Sequence, residues 1–176
     1  WRTRASRERV GRAAVAAGCD AVYVCKADAP LVRLARRARV LVATTRIGTV
    51  LREARVPRAA RVHSASDDSE RYDAGDLDPE PDTVASTEGS AGGRYRTRGG
   101  ASGRWRAVPL PGPRCDSYGA GDSFAAGLAY GLAEGRTLER ALALAAGSGA
   151  AAFARSGALG DCGASASSSP SATRRR

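Results

Sequence analysis

The segment Asp116-Ser-Tyr-Gly-Ala-Gly-Asp-Ser-Phe124 holds the residues of this chain best suited to chemistry. Gly119 and Gly121 permit backbone conformations and close approaches that a side chain would forbid, and Ala120 is nearly as small. Phe124, Leu128 and Leu132 then follow at i, i+4 and i+8, so the segment opens an amphipathic helix. Amides at such a start have no intrahelical acceptor and lie at the positive end of the helix dipole, which makes an anion site. Asp122 adds a carboxylate beside it. The pairing suits phosphoryl transfer: the amides neutralise charge on the moving group while the acid accepts the proton of an attacking hydroxyl. A carboxylate is a weak base, yet it suffices where that proton leaves late, once the hydroxyl has become acidic.

Other chemistries lack their parts. Lys26 is the sole lysine and follows no glycine loop, which excludes a P-loop. His63 is the sole histidine, so a His–metal cluster or a Ser-His-Asp triad must be built around it alone. Gly121-Asp-Ser123 is similar to a block of certain serine esterases, but His63 stands in the wrong order to serve Ser123. Gly147-Ser-Gly149-Ala-Ala-Ala152 fits a dinucleotide fingerprint loosely; it lies within a helix rather than after a strand and reads as close helix packing. Cys19, Cys25, Cys115 and Cys162 form no CxxC pair, and reduced thiols in a cytoplasmic protein are expected.

The elements that must position Asp122 alternate along the chain. A helix is expected over Ser6–Ala17, a strand over Asp20–Cys25 and a helix capped by Asp28 with Leu31, Leu34 and Ala35 inward. A strand at Arg39–Ala43, a helix near Thr49–Ala54 and a strand around Val62 follow. Ser64–Pro81 is acidic and turn-rich, a surface loop. Thr83–Thr87 returns to strand character, and Arg94–Arg98 with Arg104–Val108 predicts a hairpin. After the proline-rich loop at 109–113 come two helices, the first ended by Gly135 and the second capped by Thr137 with Leu138, Ala141, Leu142 and Ala145 inward. The alternation predicts an α/β fold with a mainly parallel sheet. Residues 1–160 form the folded part, and the Ser-rich, Arg-ended stretch 161–176 reads as a disordered tail.

Net charge is +10, almost all of the positive charge being arginine scattered over the chain. That pattern reads as solvated surface rather than a nucleic-acid footprint, so no nucleic-acid partner is expected. No apolar run approaches the roughly 18 residues of a membrane span, so no membrane partner is expected either. The first residues lack both a signal-peptide core and an initiating Met, and the chain is read as beginning inside a longer protein.

DSYGAGDSF resembles the C-terminal signature of the ribokinase-like (PfkB) carbohydrate kinases. The resemblance implies a three-layer ribokinase-like sandwich around a central, mainly parallel sheet, incomplete at its N-terminus. It makes Asp122 the base that deprotonates a sugar hydroxyl, Gly119, Ala120 and Gly121 the anion hole, and Asp116 a ligand for a monovalent cation such as K+. Val84-Ala-Ser-Thr-Glu-Gly-Ser-Ala-Gly-Gly93 resembles the family's turn beside the nucleotide, carried by Thr87, Gly89 and Gly92, and Ser156-Gly-Ala158 resembles the end of the helix that closes over the adenine. The implied activity is transfer of the ATP γ-phosphate to a sugar or nucleoside, with ATP and Mg2+ as cofactors and a homodimer for the full-length protein.

The sequence also departs from the family. Its N-x-x-E motif, which organises the water shell of Mg2+, falls by this reading on Thr44-Thr-Arg-Ile47, with neither Asn nor Glu. The helix near Ala146 lacks an Asn often found there, and nothing corresponds to the half that supplies the sugar site and lid. A nucleotide-binding remnant without turnover is the alternative expectation.

Overall fold

The computed structural model describes residues 18–56, 59–156 and 160–161. The expected helix over Ser6–Ala17 and the stretch 162–176 lie outside the described residues. Six strands form one open sheet in sequence order: β1 (Ala21–Val24), β2 (Val40–Thr44), β3 (Ala59–Ser64), β4 (Thr83–Thr87), β5 (Gly93–Thr97) and β6 (Ser102–Trp105). The first four run parallel, and β4–β5–β6 close the order as an antiparallel meander. A two-residue pair, β7 (Arg155–Ser156) with β8 (Gly160–Asp161), stands apart.

Parallel strands need crossovers, and α1 (Ala29–Ala35) and α2 (Gly48–Ala54) supply the first two. Asp28 caps α1, its carboxylate accepting from the Leu31 amide at 2.9 Å, with Pro30 in the first turn. Ala29, Val32 and Ala35 turn inward; Leu31, expected inside, is only half-buried, because Val32 occupies the sheet-facing position. The third crossover is the acidic segment after β3. It is packed rather than merely superficial: Glu70, Tyr72 and Leu77 are buried, the last two in the core that α1 and α2 cover.

The sheet's other face carries α3 (Ala120–Ala133), with Phe124, Ala125 and Leu128 buried on Val42, Ala60, Val62 and Ala85. α4 (Leu138–Phe153) lies against α3 and completes a three-layer α/β sandwich. Gly135, at φ 71°, ends the α3 segment as expected, and the Thr137 hydroxyl accepts from the Arg140 amide at 3.4 Å. No helix among the described residues is long and apolar enough to cross a membrane.

The α3–α4 layer is thin because small residues meet across it. A Cβ on Gly131 would stand 2.9 Å from the Ala141 Cα, and one on Gly127 would stand 2.6 Å from the Ser148 Oγ. Of the two glycines read as close packing in α4, Gly149 does face α3, with the Ala120 carbonyl 3.3 Å from a built Cβ, whereas Gly147 has nothing within 4 Å. Gly147→Ala is therefore expected to stabilise the fold by about 0.5–1 kcal/mol through helix propensity. Gly131→Ala should lose about 1–3 kcal/mol to overpacking. Opposite displacements of the urea midpoint check the pair; equal displacements contradict this packing.

Candidate active site

The bend into α3 turns on Gly119, whose φ of +78° is left-handed and suited to glycine. Its carbonyl accepts the first helical bond, from the Ser123 amide at 2.8 Å. The Ala120 amide donates back to the Ser117 carbonyl at 3.2 Å. The amides of Gly119, Gly121 and Asp122 donate to nothing among the described residues. Nothing lies within 4 Å of a Cβ built on Gly119 or Gly121, so the space beside the bend is open at these two positions.

Asp122 lies in the first turn of α3, exposed, with its carboxylate outside the core. The Tyr23 hydroxyl, from β1, donates to its Oδ1. Burial first, and then this bond to a carboxylate, push the Tyr23 hydroxyl far above its ordinary range, so it stays a donor at any working pH. Tyr23 was legible in the sequence only as one apolar member of a strand; its side chain packs on the same face of the sheet as α3.

Asp116 belongs to the loop rather than to a cluster. Its Oδ1 accepts from the Tyr118 amide at 2.9 Å, a local turn that shapes the entry to Gly119. The preceding residue is tied to α4 by a bond from the Cys115 amide to the Phe153 carbonyl at 2.8 Å. Cys115 is disulfide-bonded, which corrects the expectation of four reduced thiols; Cys19 and Cys25 are free. Its partner lies outside the described residues, as do Gly157 and Ala158 of the expected adenine-side segment.

Thr87, Gly89 and Gly92 stand at the far side of the sheet, where β4 turns into β5. The Thr87 hydroxyl donates to the His63 carbonyl at 3.3 Å, and Gly89 and Gly92 take φ of 59° and 88°. Gly92 has a packing reason of its own: a Cβ there would stand 2.2 Å from the Trp105 carbonyl oxygen of β6. β4 is three strands from β1, so this turn and Tyr23 are roughly 14 Å apart across the C-terminal strand ends, at about 4.8 Å per strand.

Thr44–Ile47, where the acidic metal motif was sought, forms the end of β2 and a short 3-10 turn, with Thr44, Thr45 and Ile47 buried. An acid-x-x-Glu spacing is present one strand further on, at Asp67-Asp-Ser-Glu70, in the turn that follows β3. It hid in the segment read as a surface loop. Both Glu70 oxygens are engaged, Oε1 by the Arg46 Nε at 2.7 Å and Oε2 by the Ser64 amide at 2.9 Å. Asp67 accepts from Ser69, at 3.0 Å from its amide and 2.5 Å from its hydroxyl. Among the described residues no three His, Cys, Asp or Glu side chains gather to hold a metal ion. A protein-built divalent site does not fit these residues.

The fold and this bend define a ribokinase-like α/β protein. The pfkB carbohydrate kinase family matches residues 63–162, more than half of the 176-residue chain, and the chain belongs to that family. The matched stretch contains Asp67–Glu70 and leaves Thr44–Ile47 outside. Among solved structures, the chain is similar to an adenosine kinase from Sinorhizobium meliloti, with TM-score 0.62 and 19% identity over 84% of this chain and 51% of that one. It is also similar to a Burkholderia thailandensis nucleoside kinase in complex with inosine (TM-score 0.57, 22% identity, 73% of this chain and 45% of that one). A third is Arabidopsis thaliana ribokinase complexed with ribose and ATP (TM-score 0.51, 18% identity, 76% of this chain and 55% of that one). The chain spans about half the length of the solved structures it matches. No curated protein sequence matches it.

His63 gives this region a pH dependence. Its imidazole is half-buried on β3, its Nδ1 has no partner among the described residues, and burial lowers its affinity for a proton. A lowered folded-state pKa favours the folded state fully above the unfolded value of about 6.5, and that contribution is lost as pH falls through the folded value. His63→Gln should therefore lose less stability than the parent between pH 7 and pH 5, as read from denaturant midpoints. Parallel losses in the two proteins would place the histidine in water.

Proposed function

We propose that this chain carries the ATP-handling and phosphoryl-transfer half of a kinase that moves the γ-phosphate of ATP to a hydroxyl of a sugar or nucleoside. The observation that carries the reading is the exposed Asp122 carboxylate, beside the undonated Gly121 and Asp122 amides and held by Tyr23. Asp122 accepts the proton of the attacking hydroxyl through Oδ2, since Oδ1 is the oxygen bonded to Tyr23. The amides of Gly119, Gly121 and Asp122 stabilise charge on the transferring phosphoryl. Ala120 joins the anion hole only if its bond to Ser117 is exchanged for one to the phosphate.

The turn at Thr87, Gly89 and Gly92 takes the nucleoside end of ATP, and the width of sheet between that turn and Tyr23 suits an extended triphosphate. Magnesium arrives with the phosphates of the nucleotide, since no cluster of His, Cys, Asp or Glu among the described residues would hold it alone. Asp116 keeps one oxygen for a monovalent cation, and a compartment supplied with ATP is implied. Where the whole protein is twice this length, the sugar contacts and a homodimer interface belong to the remainder.

One observation favours a second reading. The chain spans a little under half the length of two of the solved structures it matches. Binding of ATP without turnover is then the activity of the isolated chain.

Phosphate transfer from ATP to a panel of sugars and nucleosides tests both. Transfer is expected, falling about 10²–10⁴-fold in Asp122→Asn. Ser123→Ala should leave the rate almost unchanged, whereas an esterase would depend on Ser123 and not on Asp122. Binding of ATP with no transfer to any acceptor sinks the kinase reading of the isolated chain and leaves the binding one.

Tyr23 supplies a separate prediction. Tyr23→Phe removes the hydroxyl that orients the acid and should cost about 10- to 150-fold in kcat, a hydrogen bond to a charged group being worth roughly 1.5–3 kcal/mol. KM for ATP should hold, since Tyr23 is a positioning residue. A KM effect with kcat intact would assign it to binding instead.

A further inference from the structure

The loop that delivers the chain to Gly119 is weakly held. Residues 106–119 run from the end of β6 to the start of α3 without regular structure, a long stretch for a loop, and most of them are exposed. Apart from the bonds of the bend itself, one hydrogen bond joins this loop to another element among the described residues. It is the bond from the Cys115 amide to the Phe153 carbonyl, at the end of α4. Two further contacts gather at the same place. The Arg114 guanidinium stands 5.2 Å from the centroid of the Phe153 ring, and a Cβ built on Gly112 would meet the Ala154 Cβ at 3.8 Å.

The covalent tie of the loop falls on the same residue. Cys115 is disulfide-bonded, Cys19 and Cys25 are free, and the chain has four cysteines, which leaves Cys162 as the partner. The β7–β8 pairing agrees with this. Its register returns the chain to Arg155 at Asp161, two residues past the Phe153 carbonyl, and position 162 is next in sequence. Cys115 is half-buried, and its neighbours Pro113, Arg114 and Ser117 are exposed, so a small reductant has access. An accessible disulfide isolated among free thiols belongs to the labile, redox-sensing kind rather than to a scaffold.

We infer that the Cys115–Cys162 disulfide is a redox clasp on the site. Oxidised, it holds loop 106–119 against the end of α4 and so steadies the bend at Gly119–Asp122; reduced, it lets the loop go. Opening takes two electrons and two protons from a pair of reductant thiols. The S–S bond breaks, two protein thiols form, and the reductant leaves as its own disulfide. The loop is then held by one backbone hydrogen bond, the Arg114–Phe153 contact and the packing of Gly112, each of modest strength in water. Amides at a helix start hold an anion only while they converge on it, so a loosened entry lowers the fraction of molecules competent to bind. The clasp itself is independent of the proposed kinase reading; its consequence for ATP rests on that reading.

The chain purified in air without reductant tests it. Two reactive thiols are expected on denaturation and four after reduction with dithiothreitol, with one linked peptide carrying Cys115 and Cys162. An excess of reduced glutathione should open the bond, and oxidised glutathione should close it again. Hydrogen exchange at the amides of residues 106–119 should quicken about tenfold on opening. Cys162→Ser should show the fast exchange without reductant and no response to it. The Kd for ATP should rise about tenfold in parallel. Circular dichroism verifies folding, and if Cys162→Ser does not fold, the parent chain in its two redox states decides. The clasp is overturned by four reactive thiols before reduction, by a link from Cys115 to Cys19 or Cys25, by a bond that survives excess glutathione, or by equal loop exchange in the two states. Faster loop exchange with ATP affinity unchanged upholds the clasp and counts against the kinase reading of the bend.

Discussion

Burial of one face of α3 is the constraint on which the site depends. Phe124 and Leu128 can reach Val42, Ala60 and Val62 only if the helix lies along the parallel strands, and that pose brings its first turn against Tyr23 of β1. Fully burying two such side chains contributes several kcal/mol, at about 1.5–3 kcal/mol each, more than any single polar contact at the bend supplies. The apolar stripe therefore sets the position, and the amides and the acid are carried with it. Gly119 makes the arrangement affordable in backbone terms, because its left-handed φ lets the chain enter the helix sharply without strain.

The two faces of the sheet solve different packing problems. On the α3 side, glycine and alanine let α4 approach so closely that Gly131 and Ala141 touch across the layer, giving a rigid double helix layer behind Asp122. On the α1–α2 side the helices are one to two turns long, and the crossover after β3 has no helix longer than the 3-10 turn at Asp68–Glu70. Tyr72 and Leu77 complete that core from a loop. Polar groups consequently enter the second face: Arg61, Thr45 and Glu70 are all buried there. A short-helix layer with a loop for a wall thus packs polar side chains that the closely packed α3–α4 layer has no room for.

Much of this was legible in the sequence because it rested on local signals. Asp28 and Thr137 act as caps, Gly135 as a helix stop, and β4 runs from Thr83 to Thr87 as its β-branched ends predict. The bend at Gly119–Asp122 was legible for the same reason, since small residues, an acid and a helical stripe are contiguous there. What was not legible depends on the register between distant strands. Tyr23 and Asp122 are 99 residues apart, and nothing in the strand's own pattern says that its phenol reaches a helix start. Arg46 and Glu70 find one another across two strand ends, so the acid-x-x-Glu spacing lay in a segment whose turn-rich composition spoke only of a loop. The buried Arg61 is the sharpest case: an arginine at a strand position reads as solvent-facing until the loop that covers it is seen to pack.

The exposure of Asp122 bears on how far the bend can act unaided. A carboxylate in water is screened, and amides at a helix start hold an anion more weakly there than in a closed site, because a high local dielectric divides every such interaction. The Tyr23 bond compensates in orientation but not in desolvation, since it fixes one oxygen while the other still faces solvent. Full strength of the same groups requires a covering element that excludes water once the acceptor is in place. Among the described residues no helix or strand lies over Asp122 from the solvent side; α3, β1 and the loop at 114–119 form only the floor. On the proposed kinase reading this bend receives charge and proton, and the exclusion of water falls to an element above that floor.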